Sequence, residues 1–448
     1  MFNKSLASTM EDEVYINGNA EYYTGMRSNC KEAVDIVVNY LENVENFKPF
    51  PEVQSGFLVP QIPSDPPKEA VTMQEIFKDV DRLLIPGVTH WNHPRFHAYF
   101  AMANSYPAVC ADIIGSAIRG MGFTWASSPV STELEYVVTN WLAKMLGLPD
   151  FYLHSPNGGG GVVNVSGLLN LIPVRSLPVN NKFELTGETL ETAILEDIAE
   201  GKIPFYCVAT LGTTSVCSFD KLNELGPVCK KFDVWLHVDA DYAGSAFICP
   251  EYRHYLHGSE FTSSFAFNPR KWPLTNFDCS VVWFKDVSSF TSEFATDAQY
   301  LKYSDPGKMP DYRNWQLSFS RKSRALNLWF VIRKFGVADL QKYIRQHIRM
   351  AKYLESLIKS DIRFEIIGEV TMGHVCFRIK GSNKLTKKLY ESIRKDGRIY
   401  LTAAWVKTPN EEEIHFIRVA IASIFTDEGI CNYAFMIITE VTDKLTAN

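Results

Sequence analysis

Apolar and polar positions follow two different periods along this chain, and the N-terminal part shows only the helical one. Apolar residues recur every three or four positions over 22–44 and again over 72–84, which predicts a helix in each segment. Residues 47–68 hold six prolines, and because proline fixes φ and donates no backbone hydrogen bond, this segment is predicted to be extended and irregular. The chain up to about residue 105 is therefore predicted to be an arm that packs on something else, such as a partner subunit.

Two more helices are predicted between residues 106 and 148, with a break near 123–129. The second has Thr132 and Glu135 near its start, in the order Thr-x-x-Glu that is typical of a capping box. We therefore expect these two side chains to satisfy free backbone N–H groups at the start of this helix.

Short apolar runs then alternate with helical patterns, which predicts an α/β fold with a mostly parallel sheet covered by helices. The predicted strands are 174–177, 205–211, 234–238 and 280–284, and the predicted helices are 188–200 and 220–231. Ligands of such folds bind at the carboxyl ends of the strands, where Thr213, Thr214 and Asp239 fall.

The C-terminal part mixes both periods and predicts a smaller α+β domain. A long helical pattern ends near residue 359; strands are predicted at 364–370, 374–380 and 414–424, and helices near 384–395 and 427–445. The predicted organisation is a loose tail (1–18), a helical arm (19–105), a large domain (106–340) and a small C-terminal domain (341–448).

Composition narrows the class of protein. The net charge of -6 and the pI of about 6.0 give no basic surface for nucleic acid or anionic lipid. Nine scattered cysteines without a Cys-x-x-Cys pair favour a reducing compartment and argue against a zinc module, so no metal site is expected. We see no signal peptide at the N-terminus and no apolar run long enough for a membrane span, and we expect a cytoplasmic protein.

The strongest candidate for chemistry is Lys271, which lies in the apolar and stiff segment 265–273 between Arg270 and Trp272. Lysine is rarely buried unless it is paired or used. Desolvation and a neighbouring cation both disfavour the ammonium form, and a neutral lysine amine suits Schiff-base chemistry. The alternative is a surface lysine whose stem packs on Trp272.

Three features together indicate a cofactor. Lys271 offers an amine, Asp239 offers a carboxylate for a positive ring nitrogen, and the glycine run 158–161 allows backbone to approach a phosphate near a helix N-terminus. These are the parts of a pyridoxal-phosphate site. Taken singly, Asp239 is equally well explained as a turn or helix cap and the glycines as a flexible loop.

The chain resembles the group II pyridoxal-phosphate decarboxylases, in the branch of the aromatic-amino-acid and histidine decarboxylases. The resemblance begins near residue 22 and includes Trp-Leu-His-Val-Asp-Ala at 235–240 and Phe-Asn-Pro at 267–269. Its other segments are 90–91, 122–129, 132–135, 209–214, 242–247 and 276–279. The resemblance implies pyridoxal phosphate fold-type I, a homodimer with swapped N-terminal arms, and pyridoxal 5'-phosphate as cofactor.

The same resemblance implies roles for single residues. Lys271 binds the cofactor, Asp239 pairs with its ring nitrogen, and Tyr300 in a mobile loop returns a proton to the substrate carbon. The other cofactor-binding positions are Thr214, Asn268, Arg270, Ser166 and Gly167. The implied substrate positions are Tyr99, Phe100, Met121, Phe123 and Ser320.

The chain departs from this family in three places that bear on the site. Ser166 and Gly167 pass directly to Leu168, so several dozen residues of the family, including a phosphate-binding helix and a histidine that stacks on the cofactor, have no counterpart. Asp241 stands where the family has alanine; if the strand continues past Asp239, the two carboxylates share a face and one pKa rises. Arg270 replaces the family's His or Ser and offers a cation to the cofactor phosphate.

The expected activity is the decarboxylation of an aromatic L-amino acid of the dopa, tyrosine or tryptophan type, or of histidine, to the amine and carbon dioxide. Ser320 matches the serine of histidine decarboxylases and keeps histidine open as the substrate. Two alternatives remain: an aromatic aldehyde synthase of the same family, and a catalytically impaired variant that serves only as a dimer partner.

Overall fold

A computed structural model describes most of the chain in two units, Met1–His93 and Pro94–Asn448. The described residues are 10–100, 105–118, 120, 122, 124–155, 158–164, 174–272, 274–276, 279–291, 309–315 and 321–447. The long helix Ala325–Ser360 runs across the expected boundary at residue 340. The four-part organisation expected from the sequence stays a prediction.

The first unit contains the two predicted helices and the irregular segment between them. Helix α1 spans Met10–Glu42 and helix α2 spans Met73–Asp79. Thr72 and Glu75 form a capping box at the start of α2, in which each side chain bonds the other residue's backbone N–H. Helix α1 leaves large apolar side chains exposed, among them Tyr22, Tyr23 and Met26.

Five strands form the large sheet of the second unit, and the predicted mostly parallel arrangement is confirmed. The strands are β1 (Gly160–Asn164), β2 (Tyr206–Thr210), β3 (Trp235–Asp239), β4 (Ser264–Phe267) and β5 (Ser280–Phe284). Their order is β1-β5-β4-β3-β2, with β2, β3 and β4 parallel and β5 antiparallel to both of its neighbours. Phe265, Phe267 and Trp283 from the central strands are fully buried.

One predicted strand is wrong. Residues 174–177 are irregular, and Val174 is exposed. Arg175 forms ion pairs with Glu196 and Asp197 and bonds the Ala193 carbonyl, so its side chain ties the segment to a helix instead of a sheet. The run is short, and Arg175 and Ser176 in it are polar. Its own preference for strand conformation is too weak to form a strand, because that preference depends on packing against neighbouring strands.

Helices pack around this sheet. They are α3 (Tyr106–Ile118), α4 (Pro129–Leu146), α5 (Gly187–Ala199), α6 (Leu222–Lys231), the single turn α7 (Ser288–Thr291) and α8 (Ala325–Ser360). Helix α4 packs on β1 and α6 packs on β2 and β3. Helix α8 breaks at Gly336, where φ is 62° and ψ is 179°; its first part packs on α3 and α4.

The predicted capping box at Thr132 and Glu135 is wrong. Helix α4 begins at Pro129 with Ser128 as its N-cap residue, so Thr132 lies inside the helix. Glu135 is fully buried; its Oε1 accepts from Arg321 at 2.7 Å and from the Val163 N–H at 2.9 Å. Proline is favoured in the first turn of a helix, which moves the start upstream and leaves Glu135 free to face the core.

The four-stranded antiparallel sheet of the C-terminal part has the order β6-β7-β9-β8. Its strands are β6 (Phe364–Ile366), β7 (His374–Ile379), β8 (Thr402–Lys407) and β9 (Glu413–Ala420), and its helices are α9 (Asn383–Asp396) and α10 (Glu428–Thr446). Strand β8 had no sequence prediction, because its Thr-Ala-Ala-Trp-Val-Lys pattern lacks the alternation of apolar and polar residues that is typical of a strand. The backbone of His97 bonds Tyr400 and Ala420, which places the following Phe100 between the two sheets.

Candidate functional site

The candidate site lies at the carboxyl ends of β3 and β4, which are parallel neighbours with Asp239 paired to Ala266. The Lys271 Nζ lies 3.3 Å from Oδ2 of Asp241. The Asn268 amide donates to the same oxygen at 3.4 Å, and the Asp241 N–H donates to Oδ1 of Asp239 at 3.0 Å. One amine, one amide and two carboxylates therefore converge at these strand ends.

A tight turn after β4 directs Lys271 toward this point. The Asn268 side chain is completely buried, and its Oδ1 accepts from the Arg270 N–H at 3.2 Å. The Lys271 N–H donates to the Asn268 carbonyl oxygen at 3.1 Å. An asparagine that bonds backbone two residues ahead fixes a turn, so the position of Lys271 follows from the Asn-Pro sequence before it.

Burial raises the pKa of the Asp239 carboxyl, and the negative charge of Asp241 raises it further. Lys271 and the N–H of Asp241 act in the opposite direction. Strand β3 ends at Asp239, so the condition under which Asp241 would share a strand face with it is not met. The two carboxylates are neighbours for another reason: the chain turns after β3 and the Asp241 N–H bonds back to Asp239.

Aromatic rings cover one side of the site. The Lys271 Nζ lies 5.7 Å from the centre of the Phe100 ring, which stacks on Tyr242 at 3.9 Å. Tyr242 stacks in turn on Trp272 at 5.3 Å, and all three rings are buried. The Trp272 Nε1 donates to Nδ1 of His347 at 3.1 Å, which ties the stack to α8. These rings keep water from this side of the amine.

Arg418 lies on the other side of the Phe100 ring, and it was not among the residues predicted from the sequence. Arg418 is only 4% exposed, and its guanidinium lies 4.5 Å from the Phe100 ring centre and donates to the Thr214 carbonyl oxygen. Burial lowers its pKa. A single arginine inside the apolar run Phe416-Ile417-Arg418-Val419-Ala420 is the signal that identifies it, because arginine is seldom fully buried unless it is paired.

His374 also escaped sequence reasoning. It lies beside Phe100 and Tyr242, and within the described part of the chain neither of its ring nitrogens has a hydrogen-bond partner. Burial and the nearby Arg418 lower its pKa to about 3, so the ring is neutral at physiological pH.

The structure brings Lys271, Asp239, Asn268 and Phe100 together, but it places two other predicted residues differently. The Thr214 side chain is exposed, and its carbonyl oxygen faces Arg418. The Tyr99 ring is half exposed and packs on Phe96 and Tyr400. Of the other predicted residues, Arg270 lies in the turn after β4, and the rest lie outside the described residues: Tyr300, Ser166, Gly167, Met121, Phe123 and Ser320.

Two of the four glycines of the run 158–161 do not form the expected phosphate loop. Gly160 and Gly161 lie in β1, paired with β5. A Cβ on Gly161 would lie 2.5 Å from Nε1 of Trp283 and 2.9 Å from Cβ of Thr139. Glycine is needed here because α4 and β5 pack directly against the strand, and the interpretation as a phosphate cradle or flexible loop is wrong for these two residues.

Replacing Gly161 with alanine is therefore expected to lower the free energy of unfolding by about 1–3 kcal/mol through overpacking. Trp283 cannot move aside easily, since it is fully buried and its Nε1 donates to the Thr139 carbonyl oxygen at 3.2 Å. Urea unfolding measures the change. Gly25→Ala in α1, where a Cβ would have only the Asn29 side chain at 4.0 Å, is the control and should be neutral or stabilising. Equal effects of the two substitutions would contradict the packing argument.

Among the described residues, no helix has the length and apolar character needed to cross a membrane. Over the same residues, no group of three or more His, Cys, Asp and Glu side chains is arranged to hold a metal ion.

Comparison with known proteins shows which family and which relatives this chain is similar to. The family model described as "Pyridoxal-dependent decarboxylase conserved domain" matches residues 56–172 and 162–380. The aromatic-L-amino-acid decarboxylase of Manduca sexta is 44% identical over 468 residues, covering 93% of this chain and 91% of the relative. The histidine decarboxylase of Mus musculus is 40% identical over 459 residues, covering 91% of this chain and 68% of the relative.

Among solved structures, the crystal structure of Oryza sativa TDC with PLP and tryptamine has a TM-score of 0.88 and 30% sequence identity. The match covers 94% of this chain and 98% of the other. The expected fold class is thereby confirmed.

Proposed function

The chain belongs to the family of pyridoxal-dependent decarboxylases, and on that premise we propose that it converts an aromatic L-amino acid to the amine and carbon dioxide. The cofactor is pyridoxal 5'-phosphate. The observation that carries the proposal is the convergence of the Lys271 amine with the Asp239 and Asp241 carboxylates at the ends of two parallel strands.

The residues present fit the ring and the aldehyde carbon of this cofactor. An amine that is only 15% exposed and a carboxylate on the neighbouring strand are the two groups that a pyridoxal ring requires. Both lie at the carboxyl edge of the parallel strands, where ligands of this type of sheet bind. The predicted phosphate ligands Ser166 and Gly167 lie outside the described residues.

The chemistry that pyridoxal phosphate supplies when bound is an electron sink for the bond that breaks at the substrate's α-carbon. Lys271 would hold the aldehyde carbon through its Nζ. Asp239 would hold the proton on the ring nitrogen, because a carboxylate stabilises a neighbouring positive charge. Phe100 and Tyr242 exclude water from one side, and Tyr300 is proposed to return a proton to the α-carbon.

Product analysis tests the proposal. Purified protein is incubated with cofactor and, separately, with dopa, tyrosine, tryptophan and histidine, and amine, aldehyde, ammonia and carbon dioxide are measured. We expect an aromatic amine and carbon dioxide in equal amounts. Amine from histidine alone would instead support the histidine reading that rests on Ser320.

The same assay separates the other two alternatives. Aldehyde and ammonia in place of amine would identify an aldehyde synthase. Cofactor absorption without any product would identify a catalytically impaired variant. If no visible absorption of bound cofactor appears at saturating concentration, the proposal is contradicted.

We also propose that a segment of the family domain is missing after Gly167. Two observations support this. The alignment with the Manduca sexta relative spans 468 residues, more than the 448 of the whole chain, so the relative has residues without a counterpart here. The two stretches matched by the family model both include residues 162–172. Sequencing the transcript across this junction tests whether the segment is absent from the message.

We propose further that the protein is a cytoplasmic homodimer. The exposed apolar side chains of α1 support a partner for the arm, since contiguous apolar surface commonly marks an interaction site. None of the nine cysteines, all of which lie among the described residues, forms a disulfide, which supports a reducing compartment. Light scattering of the purified protein and fractionation of the source cells test the two statements separately.

A further inference from the structure

Asp241 is the charged residue closest to the amine of Lys271 among the ion pairs of the described residues. Its Oδ2 accepts from the Lys271 Nζ at 3.3 Å and from the Asn268 amide at 3.4 Å. Its own N–H is bonded to Asp239. The side chain is thus fixed from both sides, and it is only 19% exposed.

We propose that Asp241 is a positioning residue that acts as an internal counter-ion of Lys271, which cofactor capture must release. This inference rests on the proposed function. By holding the ammonium form of the lysine, Asp241 weakens cofactor binding at neutral pH. This weakening becomes smaller as the pH rises.

The chemistry of capture explains the direction. The ammonium of Lys271 first gives one proton to solvent. The neutral Nζ then attacks the aldehyde carbon of the cofactor, a C=N bond replaces the C=O bond, and one water leaves. A carboxylate at hydrogen-bond distance stabilises the ammonium and so opposes the first step. The pair is mostly buried, so salt screens it less than an exposed pair.

A second effect acts in the same direction. Asp241 places a negative charge beside Asp239, whose carboxylate is proposed to hold the protonated ring nitrogen. Two neighbouring carboxylates disfavour each other's ionised form, so Asp241 also weakens the charge that Asp239 offers to the cofactor.

Other charged or titratable groups surround this pair. They are Asp239 and His237 on β3, Arg270 in the turn after β4, and Arg418 on β9 across the Phe100 ring. His237 is neutral at physiological pH, because burial lowers its pKa to about 4. Arginine keeps its charge in proteins, so Arg418 does not compete with the Asp241–Lys271 pair for protons.

Cofactor titrations of full-length protein and of Asp241→Asn test the inference. Visible absorption reports the bound cofactor, and the apparent dissociation constant is measured from neutral to alkaline pH. We expect Asp241→Asn to bind on the order of tenfold more tightly at neutral pH, since the cofactor no longer has to displace a carboxylate from the amine. The difference should narrow as the pH rises.

Two further variants serve as a second test and as a control. Asp241→Ala should also bind more tightly, which keeps the test decisive if the asparagine variant folds poorly; circular dichroism checks the fold of each. Asp339→Asn, an exposed aspartate on α8, should leave the dissociation constant unchanged. Equal affinity of wild type and both Asp241 variants, or a ratio that is the same at every pH, would overturn the counter-ion role while leaving the proposed function intact. If none of the proteins shows the visible absorption of bound cofactor, both the counter-ion role and the proposed function are overturned.

Discussion

Replacing Lys271 with alanine is expected to abolish amine production and to remove the visible absorption of the bound cofactor. The reason is that the Nζ of Lys271 is the amine that the structure places beside Asp241 and against the Phe100 ring, at the end of β4. A variant without it has no group at this point to form a covalent bond with an aldehyde. Amine production and the absorption spectrum at saturating cofactor are the two measurements.

A surface lysine provides the control. Lys230 is exposed at the end of α6, and Lys230→Ala should retain both the absorption band and the activity. A band of unchanged position and intensity in Lys271→Ala would show that another amine binds the cofactor. Circular dichroism of the variant should match that of the wild type, since alanine in this turn keeps the Asn268 hydrogen bonds to the backbone.

Replacing Arg321 with methionine is expected to destabilise the protein by about 3–5 kcal/mol, because it leaves Glu135 buried without its cation. The two side chains are 7% and 0% exposed and pair at 2.7 Å. Arg321 also donates to the Gly122 and Val163 carbonyl oxygens at 2.7 Å each. Urea unfolding measures the loss.

A matched exposed pair separates burial from charge. Arg345 and Glu251 pair at 2.6 Å with both side chains nearly half exposed, and Arg345→Met should cost no more than about 1 kcal/mol. The double variant Glu135→Gln, Arg321→Met should recover part of the loss, because it no longer buries an unpaired charge. Similar losses for Arg321→Met and Arg345→Met would contradict this account.

The pH dependence of Arg321→Met follows from the same pair. Burial raises the pKa of Glu135 in the folded protein even with Arg321 present, and loss of the cation raises it further. A carboxyl whose pKa is higher in the folded state binds more protons there than in the unfolded state. The free energy of unfolding of Arg321→Met should therefore lie closer to that of the wild type at mildly acidic pH than at neutral pH.

The placement of Asp239 at a strand end was predictable from local sequence, whereas its role and that of Lys271 rested on the combination of features and on the family resemblance. Asp239 closes the apolar run predicted as a strand at 234–238, and Lys271 follows an Asn-Pro turn in the apolar segment 265–273, for which no strand was predicted. Residues at the ends of adjacent parallel strands must lie close together, whatever the rest of the chain does. The positions of β2, β3 and β5 follow from the same short-range patterns.

What escaped prediction depends on contacts between distant segments. Arg418 and His374 face Phe100 only because the C-terminal sheet packs beside the large one, and no local period encodes that packing. Glu135 satisfied the pattern of a cap, yet its pairing with Arg321 across 186 positions of sequence decided where it points. Asp241 lies beside Asp239 through a turn that strand alternation does not describe.

The break in α8 at Gly336 sets the direction of the part of the helix that follows it. Its φ of 62° and ψ of 179° are open essentially only to glycine. The helix beyond it packs on β6 and β7 of the C-terminal sheet, whose strands carry His374 and Arg418. At 1.5 Å per residue the part of α8 after Gly336 is about 36 Å long, so a rotation of about 10° at Gly336 would move the end of the helix by roughly 6 Å. The same part of the helix also carries His347, which bonds Trp272, so the direction that Gly336 sets bears on the C-terminal sheet and on the ring stack together.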